Sequence, residues 1–191
     1  MAKNSKEKSM KLKTKDLAQI ALFAALTAVG AFLKIPVPYV PFTLQVFFVA
    51  LSGVLLGAKK GALSQLVYVF TGLIGIPIFT EGGGISYVLK PTFGYLIGFI
   101  IGAYVIGYLT ERLKKKNIWS IFLCILAGLA VLYFIGVPYL YLINNYYVGK
   151  TLSLWLSFFY GFVLCIGGDL ISSLIASLLS VKLLPILKKI Q

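Results

Sequence analysis

From Ile118 to Ile143 this chain runs without a single charged residue. Folded as a helix at about 1.5 Å per residue, such a run crosses the roughly 30 Å of a bilayer core; in a small water-soluble domain it would leave no face for solvent. Comparable apolar runs occupy Leu17 to Leu33, Thr43 to Ala58, Gly61 to Gly75, Thr92 to Thr110 and Leu152 to Leu184. With 60% of the 191 residues hydrophobic and 12% charged, too little polar material remains to clothe a soluble globule. The sequence therefore predicts an all-α membrane protein with six transmembrane helices, a basic tail over residues 1–16 and a single six-helix domain over residues 17–191.

Local chemistry predicts where the helices stop. Pro36, Pro38 and Pro41 each lack an N–H and push the preceding residue toward extended geometry, so the chain leaves its first helix into a stiff outer loop. Lys59 and Lys60 mark a turn between two runs that are short for spans, which reads as a helical hairpin. Residues 76–91, with Pro77, Glu81, three consecutive glycines, Lys90 and Pro91, form the long non-helical stretch. At membrane depth such backbone needs a cavity to line. Gly94, Gly98 and Gly102 recur at every fourth position of the fourth span, on one face where another helix can come close. A bend is expected at Pro138, and Gly167-Gly168-Asp169 is expected to interrupt the last run, which is longer than a bilayer requires. A cleavable-signal reading of the first run is weaker than an uncleaved span, because its Val29-Gly30-Ala31 segment would lie mid-membrane.

Lysine and arginine set the orientation. Most of them fall on one side of the six runs: the tail, Lys59 and Lys60, Arg112 with Lys114 to Lys116, and Lys182, Lys188 and Lys189. Only Lys34, Lys90 and Lys150 fall on the other, which puts both termini in the cytoplasm of a multi-pass cell-membrane protein. The net charge of +13 is thus a topology signal rather than a nucleic-acid surface. Tyr39, Tyr139, Tyr141, Tyr146, Tyr147 and Trp155 gather near the outer boundary as an aromatic belt. With no histidine and five acids, most metal and hydrolytic sites cannot be assembled, and no nucleophile–base pair can be placed for an intramembrane enzyme. Cys124 and Cys165 fall in apolar runs and read as buried hydrophobes, not a disulfide. No GxxxxGK[ST] segment occurs, so the chain is not expected to couple ATP hydrolysis to transport by itself.

Glu7, Asp16 and Glu111 belong to cytoplasmic segments, which leaves Glu81 and Asp169. A carboxylate inside a span costs about 2.5–3.5 kcal/mol, so Asp169 needs a partner or a use. Beside it Gly167 and Gly168 leave backbone open to a small molecule, and Lys90 is the natural opposite charge. An outward-facing cavity bounded by Thr80 to Gly84, Tyr87, Lys90 and Asp169 would offer one cation and two acceptors, which suits an anionic molecule with polar N–H groups. In the first span Ala21, Ala24, Ala25 and Ala28 form two Ala-x-x-x-Ala pairs, a smooth strip for close packing on a helix of this chain or of a partner.

Ile35-Pro-Val-Pro, Pro41-Phe-Thr-Leu-Gln45, Gly75-Ile-Pro-Ile-Phe79, the glycines 82–84, Lys90-Pro-Thr-Phe-Gly-Tyr-Leu-Ile-Gly-Phe99 and Gly168-Asp169-Leu170 stand in an order and spacing that resemble the biotin-specific S component of energy-coupling factor (ECF) transporters. The resemblance runs from the first span to the end of the last. It implies a six-helix subunit that captures biotin from outside and topples in the bilayer to deliver it, powered by a separate scaffold subunit and two ATPase subunits. It implies contact of the strip around Ala21 and Ala25 with the scaffold, and no cofactor or metal. For the ligand it implies Asp169 accepting a ureido N–H, Glu81 with Gly82, Gly83 and Gly84 framing the ring, Lys90 near the carboxylate, Tyr87 and Tyr95 as wall and hydroxyl, and Gln45 as a further polar contact. Two positions depart from the family pattern: Glu81 where many members carry asparagine, and Ser172 where many carry lysine. A stand-alone proton-coupled transporter of a small anionic vitamin, with Asp169 as the proton site, is the alternative reading.

Overall fold

The computed structural model describes residues 12–190, with side chains through residue 187. The tail lysines up to Lys11 and the side chains of Lys188 and Lys189 lie outside the described residues. Among the described residues there are six helical rods: α1 (Thr14–Phe32), α2 (Gln45–Leu56), α3 (Ala58–Leu73), α4 (Phe93–Arg112), α5 (Ile118–Ile143), and a last rod in which α6 (Leu154–Phe158) passes through a π-turn at Phe159–Val163 into α7 (Leu164–Ile190). Four stretches, Thr14–Phe32, Phe93–Arg112, Ile118–Val148 and Leu154–Leu187, are long and apolar enough to cross a membrane. Large apolar side chains point outward along them, Phe134 at 82% exposure and Trp119 at 70%, an arrangement that lipid accepts and water does not.

Two local expectations are corrected and a third gains detail. The turn between α2 and α3 is not at Lys59 and Lys60, which belong to the first turn of α3, but at Gly57 alone. Gly57 has φ of +82°, a conformation that glycine adopts without strain. Glu111 holds the corner by accepting from the Ala58 N–H at 3.0 Å, and Lys60 pairs with Asp16 of α1 at 2.5 Å, so two of the cytoplasmic acids tie helix ends together. The second correction concerns Gly167-Gly168-Asp169, which lies inside the unbroken α7; the irregularity of this rod is the π-turn before it. Within hydrocarbon a broken ladder leaves N–H and C=O groups with no water to bond, and that outweighs the roughly 1 kcal/mol that glycine costs in a helix. Third, the proline loop contains a short antiparallel ribbon, β1 (Lys34–Ile35) on β2 (Phe42–Thr43). Its ladder uses only residues that possess an N–H, and all three prolines fall in the connection between the strands.

Glycine lets α4 lie close to its neighbours. A side chain on Gly94 would strike Tyr139, one on Gly98 the backbone of Leu132, and one on Gly102 the carbonyl of Gly128, so the strip seats α5 as its spacing predicts. On another face of α4 a Cβ at Gly107 would overlap the backbone of Gly57 and Ala58. Gly107→Val is therefore expected to destabilise the chain by about 1–3 kcal/mol, the usual cost of overpacking. The check is thermal unfolding of the purified protein in detergent, and an unchanged Tm would mean that the corner yields freely.

The interior divides in two. Toward the basic end of α4, Phe23, Leu51, Val54, Ile106, Ile121 and Ile125 form an aliphatic-rich cluster. Toward the other end Tyr68, Phe79, Tyr87, Phe93, Tyr95, Phe99 and Tyr133 form an aromatic one, and its hydroxyls surround a cleft.

Candidate functional site

The cleft lies where β2, the start of α2, the start of α4, α5 and α7 converge, beneath residues Val40 to Thr43. Asp169 of α7 lines it and is 3% exposed, the one side chain of a charged type that is buried among the described residues. Tyr133, from the middle of α5, donates its hydroxyl to Asp169 Oδ2. One carboxylate oxygen is thereby oriented by the protein, and the other has no hydrogen bond from a described side chain.

A second polar line crosses the cleft wall. Thr43 donates to Gln45 Oε1 at 3.0 Å, Gln45 Nε2 donates to the Tyr68 hydroxyl at 2.7 Å, and Tyr68 donates to the Ile78 carbonyl at 3.1 Å. An amide has two N–H donors and two carbonyl lone pairs, so these bonds leave Gln45 one of each. Tyr87 is buried, and its hydroxyl lies 2.9 Å from Thr80 Oγ1 and 3.2 Å from Thr92 Oγ1, a cluster of three hydroxyls at the outer rim. Tyr95 donates to the Gly161 carbonyl at 2.8 Å, inside the π-turn where regular helical pairing is displaced. Its ring therefore walls the cleft while its hydroxyl is already engaged. Val46, Leu96, Phe99, Leu132 and Cys165 supply the remaining apolar lining. The ribbon and its connection close the cleft by laying Phe42 against Gly168, where a side chain would collide with the ring, and by setting Tyr39 at a tilt against Tyr160, 5.0 Å between centroids.

Thr92 also lines a second, outer hollow with Pro38, Tyr39, Glu81, Lys90 and Lys150. The outer hollow measures about 670 Å³ and the inner cleft about 50 Å³. At roughly 10–15 Å³ per water on this scale, the cleft admits a compact group and no more without adjustment.

The structure thus brings together Gln45, Tyr87, Tyr95 and Asp169 and separates them from Glu81 and Lys90, so the single cavity expected from the sequence is two. Lys90 does not pair with Asp169; its partner is Glu81, at 3.2 Å. Gly82, Gly83 and Gly84 line neither cavity. Gly82 pairs with Phe79 in an isolated bridge, and the Gly84 N–H donates to the Gly72 carbonyl at 2.7 Å, so the glycine run folds the loop back onto the end of α3. The alanine strip is also split: Ala24 is buried in the chain's own core with Ala28 packed beside it, while Ala21 and Ala25 are exposed.

Sequence reasoning missed Tyr133, Tyr68 and the threonines 43 and 92. A signal for the two tyrosines was present. Each sits inside a helix away from the interfacial belt, where a phenol must find a protein partner. The threonines carried no such mark, since a hydroxyl in a loop or near a helix end usually bonds water.

Comparison with known proteins bears on the family and the fold. The model of the BioY family matches residues 3–189. The chain is 48% identical over 175 residues to a probable biotin transporter BioY of Lysinibacillus sphaericus, covering 92% of this chain and 89% of that one. It is 41% identical over 173 residues to the biotin transporter BioY of Thermotoga maritima, covering 88% and 95%. A crystal structure at 2.1 Å of the S-component for biotin from an ECF-type ABC transporter superimposes with a TM-score of 0.80 at 26% identity, covering 91% of this chain and 94% of that one. A family match over nearly the whole chain, relatives of similar length and a shared fold lead to one conclusion: this chain belongs to the BioY family of membrane transport proteins.

Proposed function

We propose that this chain is the biotin-binding S component of an ECF-type importer, taking biotin from the outer side with energy supplied by a separate scaffold subunit and two ATPase subunits. The observation that supports it best is the buried Asp169 carboxylate, oriented by Tyr133 and facing the same cleft as the half-engaged amide of Gln45. A ureido ring presents N–H donors and a carbonyl on one compact edge, which a carboxylate and an amide complement, and a thioether ring suits the apolar wall of Leu96, Phe99 and Leu132. The acidic end of biotin is driven away from Asp169 by like-charge repulsion and toward the outer hollow, where Lys90 and Lys150 stand. A molecule longer than the cleft would then pass Thr92, the residue that lines both cavities.

The test is equilibrium binding of labelled biotin to the purified chain in detergent, with dethiobiotin and riboflavin as competitors. Binding displaced by unlabelled biotin and not by riboflavin is the expected result, and a folded, monodisperse sample that fails to bind would withdraw the substrate. Dethiobiotin keeps the ureido ring and lacks only the sulfur bridge, so it is expected to compete.

A further inference from the structure

The inner cleft and the outer hollow share Thr92 in their walls, Thr92 belongs with Thr80 and Tyr87 to one hydroxyl cluster, and the Glu81–Lys90 ion pair flanks that rim in sequence and lines the hollow. Glu81 follows Thr80, and Lys90 precedes Thr92 by two positions. The backbone on both sides of the pair is held in place. Lys34 donates to the Thr80 carbonyl at 2.6 Å, tying the loop to β1, and the Lys90 N–H donates to the Tyr87 carbonyl at 2.9 Å. The side chains are less confined: those of Lys90 and Glu81 are 49% and 45% exposed. An exchange of partners at this rim therefore needs only side-chain rotation.

With its ring edge at Asp169, as proposed above, an acid-tailed ligand would direct its carboxylate past Thr92 toward the hollow in which Lys90 already holds a carboxylate, that of Glu81. We propose that Glu81 is a built-in competitor of the substrate's carboxylate for Lys90, and so a determinant of how much the acidic tail contributes to binding. This inference rests on the proposed function. Glu81 and the ligand each carry an acceptor for the same ammonium group, and Lys90 cannot satisfy both at full strength. Binding then proceeds by exchange of one ion pair for another, with Lys150 on the same hollow available to either displaced carboxylate. Affinity is thereby shifted from the tail, which many small acids share, to the ring edge read by Asp169 and Gln45. Exchange also speeds release, since a neighbouring carboxylate is ready to reclaim the lysine.

The experiment measures biotin and its neutral primary amide, at low ionic strength, on the purified full chain and on Glu81→Gln, Lys90→Ala and the double variant. Glu81→Gln is nearly isosteric and lies at the surface, and monodispersity and thermal unfolding confirm that each variant is folded. The expected result is that Glu81→Gln tightens biotin about two- to fivefold, the range that a half-exposed ion pair commands, and leaves the amide unchanged. The gain should shrink in the Lys90→Ala background and at high salt. Glu81→Gln leaving biotin binding unchanged or weaker would overturn the inference, because Glu81 would then be a ligand contact or a bystander. Equal tightening of biotin and amide would overturn it by making the pair a steric barrier, and a gain that persists undiminished without Lys90 would reduce Glu81 to a repelling charge. Failure of the folded parent to bind biotin overturns the proposed function as well, an outcome distinct from a parent that binds and a Glu81→Gln variant that does not differ.

Discussion

Asp169→Ala is expected to weaken biotin binding by about two orders of magnitude. A hydrogen bond to a charged group is worth about 1.5–3 kcal/mol, and the upper part of that range corresponds to roughly a hundredfold in Kd. Asp169 is 3% exposed, so the lost acceptor lies out of reach of bulk solvent, and the Tyr133 hydroxyl would be left buried without its partner. Asp169→Asn is expected to fare nearly as badly for a different reason. An amide that accepts from Tyr133 through its oxygen turns its NH₂ toward the cleft, where a ureido N–H would meet a donor instead of an acceptor. The pair of variants thus separates shape from hydrogen-bond direction, and both are checked by binding isotherms on samples whose thermal unfolding shows them folded. Parent-like binding by both would remove Asp169 from the site.

The second large effect concerns transport rather than binding. Ala21 and Ala25 lie one helical turn apart on the exposed side of α1, where small side chains let a second helix approach closely. Ala21→Trp with Ala25→Trp is expected to reduce biotin uptake by cells that also make the scaffold and ATPase subunits by more than tenfold, while the purified chain still binds biotin with the parent affinity. Ala24→Trp should behave differently, because Ala24 is buried in the chain's own core and a large ring there overpacks it by about 1–3 kcal/mol. Its signature is a lowered Tm. Parent-level uptake by the double tryptophan variant would dismiss this face as the contact with the scaffold.

These two experiments also mark how far the sequence could be read. Asp169 stood out because a bilayer makes an isolated carboxylate expensive, so its presence in an apolar run signals a use before any contact is known. The alanine strip was equally visible, yet its four members fall on different sides. Successive helical residues turn by about 100°, so Ala24 and Ala25 face different neighbours, and which of them meets the core depends on how α1 is rotated against α2 and α3. Glu81 and Lys90 stood out in the sequence as charges outside the helices, but the partner of Lys90 was chosen by loop closure onto α3, a contact that no spacing in the loop announces.

The sequence by itself determined the solvent of this protein, the number of helical rods, and the small set of charges that the bilayer leaves unexplained. Hydropathy and charge act residue by residue along the chain, so they can be summed without knowing what touches what. Only the tertiary structure decided that Tyr133 reaches Asp169 across 36 positions, that Gln45 is held by Tyr68, and that cleft and hollow are separate chambers with Thr92 in the walls of both. Those outcomes depend on helix rotation and on close packing at bare-backbone surfaces such as Gly94, Gly98 and Gly107, where side chains from distant parts of the chain must fit the same space at once.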